Sequence, residues 1–153
     1  MTPMDYCNSL LAGVADVHIR RLQLLQNAAA RFVAGARRCD HISPVLAELH
    51  WLPIRQRITF KIAVLVWKCL HDKAPRYLAD LCIPVISVEG RRQSRSATTG
   101  TLLLPRVRTS TGQRSFAVFG RATWNSLPPS LRAPELSLST FKRLLKTQLF
   151  QHA

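Results

Sequence analysis

Apolar residues recur every three or four positions along much of the chain, which is the spacing of amphipathic α-helices. The pattern predicts a first helix from about Val17 to Ala36, capped by Asp16 and ended near Gly35. Six residues are expected to form its packed face: Leu22, Leu25, Ala29, Phe32, Val33 and Ala36. Three polar residues fall on the opposite face: Arg20, Asn27 and Arg31. We interpret that face either as solvated or as a contact with backbone phosphates.

The longest helix is predicted from Pro53 to about Asp72. It is apolar over most of its circumference, at Ile54, Ile58, Phe60, Ile62, Val64, Leu65, Val66, Trp67 and Leu70. A helix with so little polar surface belongs in the centre of a domain. Its cationic residues follow one edge: Arg57, Lys61 and Lys68. We therefore expect this helix to organise the core and to present one basic edge at the surface.

Four shorter helices are expected at 44–50, 75–81, 115–124 and 139–150, the first capped by Ser43 and the last by Ser139. The last helix should direct four apolar residues inward: Phe141, Leu144, Leu145 and Leu149. Residues 102–104, followed by Pro105, are predicted to be extended across the helices or to form a short strand. Residues 87–100 are rich in Arg, Ser, Thr and Gly, which is typical of a flexible basic loop.

These elements predict a mainly α protein, namely a small helical domain with a central apolar helix, a basic irregular region and at most one or two short strands. We expect a first helix within 1–38, a helical core at 39–84, a basic flexible segment at 85–112 and a C-terminal helical segment at 113–153. The C-terminal segment is expected to pack on the core. A chain of 153 residues is long enough to bury such a core.

Charge is distributed unevenly along the chain, whose formal net charge is +14. Residues 1–89 contain eleven Lys and Arg against seven Asp and Glu, whereas residues 90–153 contain eleven against one. No acid lies between Glu89 and Glu135, a stretch that contains eight arginines. Such a charge favours sequence-independent, salt-sensitive binding of nucleic acid. The alternative is an ordinary basic surface.

The sequence contains no pattern typical of a metal centre or a membrane span. Its four cysteines are far apart, and Cys39/His41 and Cys69/His71 lack the paired ligands of the usual zinc modules. We expect reduced thiols in an intracellular protein and no cofactor. The longest apolar run, from Ile62 to Trp67, is far shorter than a membrane span, and the N-terminus has no signal-peptide pattern.

Catalytic chemistry is also not indicated. The eight acids are dispersed with no two adjacent, whereas metal-dependent nucleotide transfer needs clustered carboxylates. No nucleophile–base pair and no Gly-rich phosphate loop occurs in the sequence. We therefore expect no enzymatic activity from this chain by itself.

Several motifs together resemble one family. The clearest is His41-Ile42-Ser43-Pro44-Val45-Leu46-Ala47-Glu48-Leu49-His50-Trp51-Leu52-Pro53-Ile54-Arg55-Gln56-Arg57-Ile58. Further matching motifs lie at 5–11, 22–31, 68–71, 74–78, 124–128 and 139–142, in the order of the family. In these motifs the chain resembles the C-terminal region of LINE-type (non-LTR) retrotransposon reverse transcriptases, and the resemblance covers nearly its whole length.

The resemblance implies the end of the polymerase thumb followed by a C-terminal helical domain. The catalytic aspartates of the RNA-directed DNA polymerase would lie upstream of Met1, and the rest of that polymerase would be a partner if it is expressed in frame. Nuclear localisation is implied by the resemblance alone, because Arg37-Arg38 and Arg91-Arg92 are too sparse for a nuclear signal.

Two functions are compatible with these observations. The first is a non-catalytic part that binds RNA or an RNA–DNA hybrid, mostly independently of sequence, with phosphate contacts from Arg91, Arg92, Arg95, Arg106, Arg108 and Arg114. The three tryptophans are candidates for base stacking, although we favour core positions for them: Trp51, Trp67 and Trp124. The second is an inert or interaction-only product of a truncated element, which would associate with itself through its first helix.

Overall fold

A computed structural model describes residues 8–87 and 100–151 of the chain. Seven α-helices lie in this part: α1 Asp16–Ala34, α2 Ile42–Glu48, α3 Ile54–Leu70, α4 Arg76–Ala79, α5 Ser110–Gln113, α6 Phe116–Asn125 and α7 Leu138–Gln151. Short 3-10 turns occur at Asn8–Leu11, Val85–Ser87 and Pro129–Leu131. The prediction of a mainly helical protein is confirmed. In the described ranges the extended segment near 102 forms an isolated antiparallel bridge between Pro84 and Leu102 rather than a strand.

The chain divides into two compact units. Unit 1 comprises Met1–Phe60 and Leu145–Ala153, and unit 2 comprises Lys61–Leu144. Two helices, α3 and α7, contribute residues to both units. Within residues 8–87 and 100–151, no helix is both long enough and apolar enough to cross a membrane.

The α3 helix buries most of the apolar residues that its composition predicts to be covered. Its buried side chains include Ile54, Ile58, Ile62, Ala63, Val64, Val66, Trp67 and Cys69. In unit 2 the Trp67 ring stacks on His71 with centroids 3.7 Å apart and lies 6.1 Å from Phe141. Leu65 is only half-buried, so the buried side of this helix is narrower than its composition suggests.

The α1 helix forms where periodicity predicts it and ends at Gly35, whose φ of 64° is the left-handed conformation that glycine adopts without strain. The prediction of its packed face is wrong. Its buried residues are Ile19, Gln26 and Ala30, whereas Leu25 and Val33 are exposed and Phe32 is 89% exposed.

Two glutamines explain why α1 buries this face. Gln26 Nε2 donates to the Leu52 carbonyl at 2.9 Å, and Gln23 Oε1 accepts from the Ile54 amide at 2.9 Å. Gln23 Nε2 also donates to Gln26 Oε1 at 3.1 Å. The Ile54 amide belongs to the first turn of α3, where backbone N–H groups have no partner within the helix. The two amide side chains thus join α1 to the corner before α3, which apolar side chains cannot do.

The helix caps differ from those predicted. Asp16 is the first residue of α1 rather than its cap, and its carboxylate accepts from Arg55 at 2.6 Å. His41, not Ser43, precedes α2. At α7 the cap is Ser137 instead of Ser139, because Ser137 Oγ accepts from the Thr140 amide at 3.2 Å. Sequence patterns locate helix ends to within a few residues, and backbone geometry determines which hydroxyl reaches the free amide.

The α7 helix buries three of the four apolar residues predicted to face inward. Phe141, Leu145 and Leu149 are buried, whereas Leu144 is 40% exposed. Phe141 also lies 5.8 Å from Trp124, measured between ring centroids. The buried positions are spaced by four residues, which is the stripe of a helix that packs on one side.

Candidate nucleic-acid interface

Three exposed arginines of unit 2 lie on the segment that follows the Pro84–Leu102 bridge. From Leu103 to Arg108 half-buried residues alternate with exposed ones, which places Arg106 and Arg108 in solvent and Val107 against the protein. Neither arginine forms an ion pair with a residue that the structure describes. Both guanidinium groups are therefore accessible to an anionic partner.

The third arginine of this segment, Arg114, follows directly after α5. Thr109 Oγ1 caps α5 by accepting from the Gly112 amide at 3.1 Å, and Arg114 is the exposed C-terminal cap residue. A Cβ at Gly112 would lie 2.9 Å from Thr109 Oγ1 and 3.3 Å from Val107 Cβ, so this turn packs closely on itself. We call residues 106–114 the arginine segment.

The α6 helix holds the start of this region through polar side chains. Asn125 pairs with Leu102 as a neighbouring strand would, since its Oδ1 accepts from the Leu102 amide and its Nδ2 donates to the Leu102 carbonyl, both at 2.8 Å. Trp124 Nε1 donates to the Gly100 carbonyl at 2.9 Å. These bonds fix the residues that precede the arginine segment to α6, which is a packed helix.

The arginines between Glu89 and Glu135 differ in role. Arg121 is 5% exposed and donates to two backbone carbonyls, that of Leu81 and, at 2.6 Å, that of Leu103. Arg132 is half-buried, and burial lowers the pKa of its guanidinium. Arg121 is buried and Arg132 is half-buried. The two residues therefore contribute less exposed positive charge than a count of arginines in the sequence implies.

Three of the six arginines predicted to bind nucleic acid are exposed and close in sequence within one unit: Arg106, Arg108 and Arg114. The other three lie outside the described residues: Arg91, Arg92 and Arg95. The sequence reasoning missed the scaffold of the site, which is Asn125, Trp124 and the cap of α5. Only the cap is recognisable in the sequence, because threonine is a favoured cap residue. Thr109 lies three positions before Gly112, whose amide donates to its hydroxyl.

Tryptophan stacking on bases is not available at two of the three tryptophans. Trp67 and Trp124 are each 2% exposed, and both pack around Phe141 in unit 2. Trp51 is half-buried. The interpretation of Trp67 and Trp124 as core residues is confirmed, and the accessible contacts are the arginine side chains.

The cysteines are separated by environment. Cys39 is exposed, whereas Cys69 and Cys82 are buried free thiols. Burial raises the pKa of both buried thiols, that of Cys82 to about 12, although the Arg121 charge lowers the pKa of Cys82. Among residues 8–87 and 100–151, no three His, Cys, Asp or Glu side chains group as metal ligands would.

No family model, curated protein or solved structure matches the chain. We therefore infer the function from the sequence motifs and from the geometry of the described residues. Of these, the position and exposure of the cations bear most directly on a partner.

Proposed function

We propose that the chain is a non-catalytic, nucleic-acid-binding part of a LINE-type retrotransposon reverse transcriptase. It binds the phosphates of RNA, or of an RNA–DNA hybrid, through the arginine segment, and Arg91, Arg92 and Arg95 extend the same acid-free stretch. The resemblance of the motifs supports the origin, and the charge of the chain supports the partner. No part of this function requires a metal or a nucleophile from these residues.

The observation that carries the proposal is the arginine segment itself. Arg106, Arg108 and Arg114 are exposed within nine consecutive residues that contain no acid, and the preceding residues are bonded to α6. Guanidinium groups donate to phosphate oxygens in a planar fork and remain charged at neutral pH. A cationic segment held on a packed helix loses less conformational entropy on binding than a free tail does.

A triple variant tests the arginine segment. Arg106→Gln/Arg108→Gln/Arg114→Gln removes three charges, so the plot of log K against log salt concentration should become less steep by about 2 to 3. Affinity for RNA and for RNA–DNA hybrid should fall by a similar factor for unrelated sequences, because phosphate contacts do not read bases. Fluorescence anisotropy of labelled 20-mers between low and physiological salt measures both quantities, and circular dichroism verifies folding.

A matched variant in unit 1, Arg20→Gln/Arg37→Gln/Arg38→Gln, also removes three exposed arginines. We expect it to retain most of the affinity and most of the slope. If both triple variants lose the same affinity and the same slope, net charge rather than the arginine segment determines binding. Salt-independent binding by the unmodified chain would contradict the phosphate contacts altogether.

One observation favours a second function, self-association through α1. Val17, Leu24, Leu25 and Phe32 are each more than half exposed. At 100° per residue they share one side of the helix, opposite the buried Ile19, Gln26 and Ala30. A cluster of this kind is typical of a contact surface, and two copies in antiparallel arrangement would cover each other's apolar side.

Salt distinguishes this second function from the first. Two chains of charge +14 repel each other, so added salt should screen the repulsion and increase dimerisation. Added salt should decrease nucleic-acid binding, which depends on attraction between opposite charges. Light scattering at micromolar concentration should show a larger dimer fraction at high salt, and Leu25→Gln/Phe32→Gln should abolish it. Tyr77→Gln, which alters a 70% exposed side chain in unit 2, is the control. A clean monomer at every salt concentration would rule out self-association.

A further inference from the structure

Unit 2 contains a cavity of about 610 Å³, distinct from the exposed arginines of the arginine segment. Its walls are largely apolar and include Leu70, Ile86, Leu102, Pro129 and Pro134. This volume lies within the range of small-molecule binding sites, which combine apolar walls with a few polar groups. Among the described lining residues none is acidic, and the ionisable ones are His71 and Arg132.

The cavity wall on the Gly100 side is fixed by close backbone packing. Gly100 has a φ of +66°, and a Cβ there would lie 3.1 Å from the Arg132 carbonyl oxygen. The Trp124 indole, also part of the lining, bonds to the Gly100 carbonyl. The Arg132 amide donates to the Pro129 carbonyl at 3.1 Å, which holds the turn that carries the arginine. Hydrogen-bonded backbone thus forms the cavity wall at Gly100 and at Arg132.

Arg132 has hydrogen-bond donors without acceptors. Its Nε and Nη1 atoms are buried and find no partner in the described part of the chain. A buried N–H of a charged group that lacks an acceptor is costly, and an oxyanion is the acceptor that restores most of that cost. By contrast, both ring nitrogens of His71 are near carbonyl oxygens, Nδ1 2.8 Å from that of Trp67 and Nε2 3.2 Å from that of Pro134. Arg132 is therefore the lining residue whose side-chain donors lack acceptors.

We propose that this cavity binds a small amphipathic carboxylate, with its carboxylate on the Arg132 guanidinium and its hydrocarbon body against Leu70, Ile86 and Leu102. The apolar walls stabilise the hydrocarbon body, and the positive charge of Arg132 attracts the head group. The site is independent of nucleic-acid binding, because it uses neither Arg106, Arg108 nor Arg114.

Octanoate is the probe, and its neutral counterpart octanamide has nearly the same shape. Titration followed by amide NMR should show saturable octanoate binding, with the largest shifts at Leu102 and Ala133, two lining residues. Octanamide should bind roughly tenfold more weakly, because it lacks the charge-assisted bond to Arg132. Arg132→Gln should weaken octanoate binding by roughly tenfold and leave octanamide binding unchanged. Arg106→Gln, an exposed arginine outside the cavity, should leave both unchanged.

Three results would overturn the proposal: no saturable octanoate binding, equal loss from Arg106→Gln and Arg132→Gln, or equal affinity for octanoate and octanamide. Should Arg132→Gln fail to fold, Ile86→Trp serves instead, since Ile86 lines the cavity and is 60% exposed. This substitution places a larger side chain at the cavity wall and retains the charge of Arg132. It should also weaken octanoate binding by roughly tenfold, and unchanged binding would overturn the site as placed.

Discussion

Arg121→Ala is expected to lower the free energy of unfolding by about 3–5 kcal/mol. The buried guanidinium donates to the Leu81 and Leu103 carbonyls, and the substitution removes both charge-assisted bonds at once. It also leaves a cavity where the side chain lay. Urea denaturation followed by circular dichroism measures the loss, and the midpoint should fall without a large change in slope.

Arg108→Ala is the matched control, because it removes the same side chain from a surface position. Its effect should stay within about 0.5 kcal/mol. Arg121→Met separates packing from hydrogen bonding, since it retains most of the volume and none of the donors. A methionine variant as stable as the original chain would show that the carbonyl bonds contribute nothing net.

Gln26→Glu should destabilise the chain by at least about 3 kcal/mol at pH 7. Gln26 is 4% exposed and its Nε2 donates to the Leu52 carbonyl, whereas a carboxylate has no hydrogen to donate and carries a charge that burial disfavours. Burial raises the pKa of the introduced carboxyl above its unfolded value of about 4.3. Below its pKa in the folded chain the carboxyl is protonated, and it then donates to the Leu52 carbonyl in place of the amide.

The pH dependence of this variant follows from the raised pKa of the introduced carboxyl. The destabilisation should be small near pH 4, increase as the pH rises above the unfolded pKa, and level off above the folded pKa. Gln26→Leu removes the bonds without adding charge and should cost about 1–3 kcal/mol with little pH dependence. The surface substitution Gln113→Glu is the control for added charge. A pH-independent loss in Gln26→Glu would mean that the introduced carboxyl reaches water.

The charge pattern predicted a cationic protein but not the role of each arginine. Eight arginines between Glu89 and Glu135 look equivalent in the sequence. In the structure Arg106, Arg108 and Arg114 are exposed, whereas Arg121 bonds to carbonyls and Arg132 lines a cavity. No local signal separates them, because the acceptors of Arg121 lie 40 and 18 residues away in the chain.

Local periodicity by itself determined the main helices, the apolar character of α3 and the end of α1 at Gly35. These depend on spacing along one helix and on backbone preferences, which neighbouring residues specify. Only the tertiary structure decided which side of α1 is buried, since Gln23 and Gln26 find their partners at Leu52 and Ile54 while Phe32 remains exposed. An apolar residue is buried only where another part of the chain covers it, and a polar one only where its hydrogen bonds are met. Both conditions depend on distant residues, which periodicity does not describe.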